Sequence, residues 1–65
     1  MPWTANRYPP SMTRLPPPVR VKAIEIANAL LENGNEEGRA IRLAIARAKQ
    51  WAEGRDMRLT APAHR

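Results

Sequence analysis

Residues 30–38 read Leu30-Leu31-Glu32-Asn33-Gly34-Asn35-Glu36-Glu37-Gly38, and this stretch decides how the chain folds. Asn33-Gly34 is a helix stop, with Gly34 supplying the left-handed C′ residue that other side chains adopt only at a cost. Asn35 then reads as an N-cap. Glu36 and Glu37 put negative charge where the first-turn N–H groups of a second helix favour it. A link as short as Gly34-Asn35 folds two helices back on each other as an antiparallel hairpin.

Outward from that turn the period is helical on both sides. On the first helix, expected over 18–33, Val19, Ala23, Ile24, Ile26, Ala27, Leu30 and Leu31 share one arc, with Lys22, Glu25, Asn28 and Glu32 outside it. Pro17 and Pro18 are its start signal. On the second, expected over 36–53, Ala40, Ile41, Ala44, Ile45, Ala48, Trp51 and Ala52 form the apolar stripe, and Gly54 reads as its C′ glycine. Four of those seven are alanine, so a facing helix approaches closely. Gly38 reads as a mild cost in the first turn and a packing site. Val21 and Leu43 lie off the stripes and mark surfaces for another element to cover.

Six of the seven prolines lie at or before Pro18, so residues 1–18 form no continuous helix. One short turn fits around residues 10–14, with Pro10 at its first position. Trp3, Tyr8, Met12 and Leu15 recur through this stretch, which makes it an arm that packs rather than a polar tail. A two-helix hairpin with so few large side chains needs a third layer, supplied by the arm or by a second copy of the chain. The expected architecture is therefore all-α: one mini-domain over 1–54, with an anchored arm (1–18) and two helices, followed by a flexible basic tail over 55–65.

Composition narrows the function. The 65 residues contain no cysteine and one histidine, His64, which excludes a disulfide framework and argues against zinc chemistry. The longest apolar run, Leu43-Ala44-Ile45-Ala46, is too short to span a membrane. No secretory leader is evident at Met1. A cytoplasmic setting is expected. The net charge of +5 is uneven: residues 1–38 carry four charges of each sign, and residues 39–65 carry seven cations against two anions. Ser11 has no histidine nearby, Glu36 and Glu37 are explained as helix-start charges, and no glycine-rich phosphate loop exists, so neither enzyme activity nor a cofactor is expected. The prolines lack PxxP spacing, which leaves Leu15-Pro16-Pro17-Pro18 as a rigid helix entry.

The sharpest binding idea is a polyanion surface. Arg39, Arg42 and Lys49 lie opposite the apolar stripe of the second helix, and Arg55 and Arg58 follow its end; together they are candidate phosphate contacts. Glu53 and Asp56 interrupt that patch. Nucleic acid is thus possible but not favoured, and the leading expectation is a non-enzymatic interaction or regulatory protein whose partner is another protein or a second copy. Trp51 and Trp3 are both expected in the core, with a surface anchor for a protein partner as the alternative.

The assembled residues resemble the YdaT-like type of short bacterial proteins. The likeness is carried by Met1-Pro2-Trp3, Tyr8-Pro9, Ser11-Met12, Leu15, Val19-Arg20, Lys22-Ala23-Ile24, Ile26-Ala27-Asn28-Ala29-Leu30, Glu37-Gly38-Arg39-Ala40-Ile41, Ala44-Ile45-Ala46, Ala48-Lys49 and Trp51-Ala52. It covers about residues 1–53. More distantly the chain is similar to the small ChaB-type proteins, described as regulators of cation transport. Asn35 stands where that pattern has an aromatic, and Arg42 where it often has proline. The resemblance implies a compact helical domain that includes the arm, and no functional residues.

Overall fold

The structure, a computed structural model, describes the backbone of residues 3–60 and the side chains of residues 3–54. It consists of a 3₁₀ turn at Pro10–Met12 and two helices, α1 (Pro17–Glu32) and α2 (Glu37–Thr60), which pack against each other as a hairpin.

α1 starts where the prolines require it. Pro16 is extended (φ −56°, ψ 149°), Pro17 and Pro18 fill the first positions where no N–H partner is needed, and Arg20 N–H bonds Pro16 O at 2.8 Å. Its end is a Schellman turn. Gly34 has φ +93°, its N–H reaches Leu31 O at 3.0 Å, and Asn35 N–H reaches Leu30 O at 3.1 Å. Here the structure corrects the reading of Asn35. Its side chain does not cap α2; Nδ2 donates to Leu30 O at 3.0 Å, closing α1 instead. The link between helices is accordingly four residues, 33–36, and Ala40 N–H bonds Glu36 O at 2.8 Å as the first bond of α2.

The second correction is at Gly54. α2 runs through it to Thr60, and Gly34 is the only glycine with positive φ among the described residues. The stretch expected as a flexible tail over 55–65 thus divides: residues 55–60 are helical, and 61–65 lie outside the described residues. Gly38 is exposed, and a β-carbon there would meet only Glu36 Oε1 at 3.8 Å and Arg42 Nη1 at 4.0 Å, so it is not a packing site.

The helices meet over alanine. Ala40, Ala44 and Ala48 are wholly inaccessible and Ala52 nearly so, one per turn along α2, and Ala44, Ala48 and Ala52 share one core with Val19, Ala23 and Ala27 of α1. Methyl groups let the two backbones approach closely, but each buries little area. The larger stripe residues Ile26, Ile41, Ile45 and Trp51 are half-buried at the margins of the core. Leu43 is half-buried and Val21 is 54% exposed.

Bulk comes from the arm. Met12 is the largest fully buried side chain, Leu15 and Pro9 are buried, and Trp3 and Tyr8 pack against the core. A tight reversal precedes it: Thr4 and Arg7 exchange backbone hydrogen bonds of 2.8 and 3.1 Å, and Asn6 N–H bonds Thr4 Oγ1. The arm lies along a second face of α1, beside Ile24 and Asn28. Asn28, which helical spacing sets outside the apolar arc, is in fact buried. The reason is that α1 is covered on two sides, by α2 and by the arm.

Candidate functional site

Two polar residues of α1 hold the arm. Arg20 reaches back over the 3₁₀ turn: Nε donates to Met12 O at 3.3 Å, and Nη2 donates to Thr13 O at 3.3 Å and Leu15 O at 3.0 Å. Met12 O also accepts from Leu15 N–H at 3.1 Å, so Arg20 gives that carbonyl a second donor. The same guanidinium lies 4.8 Å from the centroid of the Tyr8 ring, within cation–π range. One residue therefore fastens both limbs of the arm. Asn28 fixes its start, donating from Nδ2 to Trp3 O at 3.0 Å.

Neither role is visible in the amphipathic pattern, where Arg20 sits between Val19 and Val21 and Asn28 between two alanines. A signal does exist. Asparagine is a poor helix-interior residue, and one flanked by Ala27 and Ala29 marks a position that something covers.

The docked arm shapes a groove of about 430 Å³ against α2. Leu15, Pro16, Val19 and Ala52 form its apolar floor, and Arg14, Lys49 and Glu53 its rim. A shallower, more polar depression on the arm itself is lined by Trp3, Asn6, Arg7, Tyr8, Pro10 and Thr13. Among the described residues no three His, Cys, Asp or Glu gather to hold a metal ion. No helix among them is long and apolar enough to cross a membrane.

The basic residues singled out by sequence fall into two sets. Arg39, Arg42 and Lys49 are exposed on the side of α2 away from the alanine row. None of the three has an acidic partner: the one ion pair among the described residues is Lys22–Glu25, at 3.3 Å. Positions 55 and 58 continue the helix. Its turn sets them roughly 100–180° round the axis from 39, 42 and 49, so the five candidates do not make a single face. Glu53 shares the side of Arg42 and Lys49. Trp51 is half-buried rather than enclosed, and the ammonium of Lys22 lies 5.6 Å from its ring centroid.

Over 53 residues, 82% of its length, the chain is 57% identical to an uncharacterized protein of Bacillus subtilis, YdaT. The chain and that stretch of YdaT are homologous. The aligned stretch is 35% of YdaT, so the chain spans about a third of the length of the curated relative it matches. No family model matches, and the more distant likeness to ChaB-type proteins has no support. No solved structure matches either.

Proposed function

We propose that this chain is a non-catalytic interaction module of the cytoplasm, and that the groove between arm and α2 takes a protein segment carrying an apolar side chain beside carboxylates. The observation that carries this reading is the groove's make-up. Its apolar floor of Leu15, Pro16, Val19 and Ala52 is rimmed by two cations, Arg14 and Lys49, against one carboxylate, Glu53, and neither cation has an ion-pair partner among the described residues. Apolar contact supplies the affinity of such a site, and the two cations select the register and sign of the partner. The homologous stretch stands within a longer protein in YdaT, which is consistent with a self-contained unit placed beside other chain.

Selection of random displayed peptides on the folded chain tests it, with methyl chemical shifts locating the contact. Enriched peptides should combine an apolar anchor with Asp or Glu and perturb Leu15, Val19 and Ala52. Basic peptides, or perturbation confined to other surfaces, would overturn it.

A second reading rests on Arg39, Arg42 and Lys49, which have no ion-pair partner among the described residues and would neutralise phosphates of a nucleic acid, with Arg55 and Arg58 as further contacts. Binding to duplex DNA and RNA must then weaken steeply with salt, by about 0.9 in log K per unit log salt for each phosphate contacted on duplex DNA. A flat response removes this reading.

A further inference from the structure

Asn33 and Gly34 form the turn between the helices, and both are exposed. In an Asn-Gly pair the side-chain amide stands next to a backbone nitrogen that no following β-carbon shields. We propose that Asn33 is a self-modification site that converts to aspartate or isoaspartate when the hairpin turn opens, and that the closed turn protects it.

The chemistry uses only the chain and water. The Gly34 nitrogen loses its proton and attacks Cγ of Asn33; the new C–N bond closes a five-membered imide, and the side-chain nitrogen leaves as ammonia. Water then opens the ring. Attack at Cγ gives aspartate; attack at the backbone carbonyl gives isoaspartate, with the main chain rerouted through Cβ.

The folded turn blocks the first step in two ways. The Gly34 N–H is engaged with Leu31 O at 3.0 Å. Ring closure also needs Cβ, Cα, the carbonyl carbon and the Gly34 nitrogen nearly coplanar. Asn33 has ψ 6°, which sets its Cβ far out of that plane. Rotating ψ into place breaks the Gly34 bond and pulls Asn35 away from Leu30 O, which it holds through both its N–H and its side-chain Nδ2. Reaction therefore requires the opened turn, and its rate is the open-turn rate scaled by the fraction open.

Both products weaken the turn, isoaspartate the more. A carboxylate at the C-terminal end of α1 opposes the helix dipole. Isoaspartate also adds a backbone carbon to a link of only four residues. Each opening thus carries a chance of a lasting isoaspartate link that loosens the hairpin.

Asn6, Asn28 and Asn35 precede Arg7, Ala29 and Glu36, and serve as controls within the same molecule. The full chain is incubated at neutral pH across a urea series, with conversion followed by peptide mapping and isoaspartate detected with a protein isoaspartate methyltransferase. In high urea Asn33 should convert ahead of the other three asparagines. Without urea its rate should fall at least ~10-fold, rising with denaturant in step with unfolding. Asn33→Ala should abolish the methyltransferase signal from the turn. Equal rates with and without urea, or faster conversion at another asparagine, would overturn the proposal.

Discussion

The Asn28 carboxamide spans the gap between the middle of α1 and the start of the arm, its Nδ2 3.0 Å from the carbonyl oxygen of Trp3. Its Oδ1 is buried with no hydrogen-bond partner. The contact that fixes the arm is therefore half-satisfied, and its net contribution is the bond made less the cost of the stranded acceptor.

Replacement at this position has a distinct signature. Asn28→Asp keeps the shape, loses the donor and buries a carboxylate against a carbonyl, and should cost about 2–4 kcal/mol at neutral pH. Burial raises the folded-state pKa of the introduced acid above its unfolded value. The protonated form also restores a donor to Trp3 O. The deficit should therefore be smallest at low pH and grow as pH rises through that range, as read by urea unfolding. A pH-independent deficit would mean that the site is wet.

Arg20 is the second test of the arm. Arg20→Ala removes three hydrogen bonds and the Tyr8 contact, and should lower stability by about 2–3 kcal/mol. Arg20→Lys should recover less than half, because a single ammonium cannot span Met12 O, Thr13 O and Leu15 O as the planar guanidinium does. Full recovery by lysine would show that charge alone matters.

The three glycines should respond with different signs. Gly34→Ala is strained by φ +93° and should destabilise by about 1 kcal/mol. Gly54→Ala and Gly38→Ala, in helix with room for a methyl group, should each stabilise by about 0.5–1 kcal/mol in thermal or urea melts. Loss of stability in Gly54→Ala would place the end of α2 at that glycine after all.

Met12 and Val21 give the sharpest contrast in burial. Met12→Ala should cost about 2–5 kcal/mol, comparable with removing a core residue from a much larger protein. Val21→Ala, at a position 54% exposed, should change stability by less than about 0.5 kcal/mol in the same assay.

What the sequence disclosed follows from which signals act locally. α1 was legible to within one residue at each end because two prolines and an Asn-Gly pair act at the positions where they stand. The alanine row of α2 was legible from spacing alone. Gly54 misled because a glycine weakens a helix by an amount that good neighbours offset, and Arg55, Met57, Arg58 and Leu59 are good helix formers. Asn35 misled because an asparagine between two helices serves either one, and only the folded turn decides which. The burial of Asn28 and the grip of Arg20 were hidden for a different reason: a helical wheel assumes one covered face, and here the arm covers a second. Of the basic residues, Arg39, Arg42 and Lys49 could be placed on one side of α2 by helical spacing, whereas the groove depends on where Leu15 and Pro16 come to lie, which no local pattern encodes.

The four-residue link and the Schellman turn let α1–α2 contacts start beside the turn and spread outward one helical turn at a time, whereas the start of the arm is tied to α1 across 25 residues, Trp3 to Asn28, with no such ladder leading to it. Contacts between near neighbours along a chain form fastest. The hairpin should zip up first on the microsecond-to-millisecond scale of small helical proteins, with the tryptophan end seating last. In reverse, the first event of unfolding is the lifting of that end, which makes the amino-terminal limb the latch of the molecule.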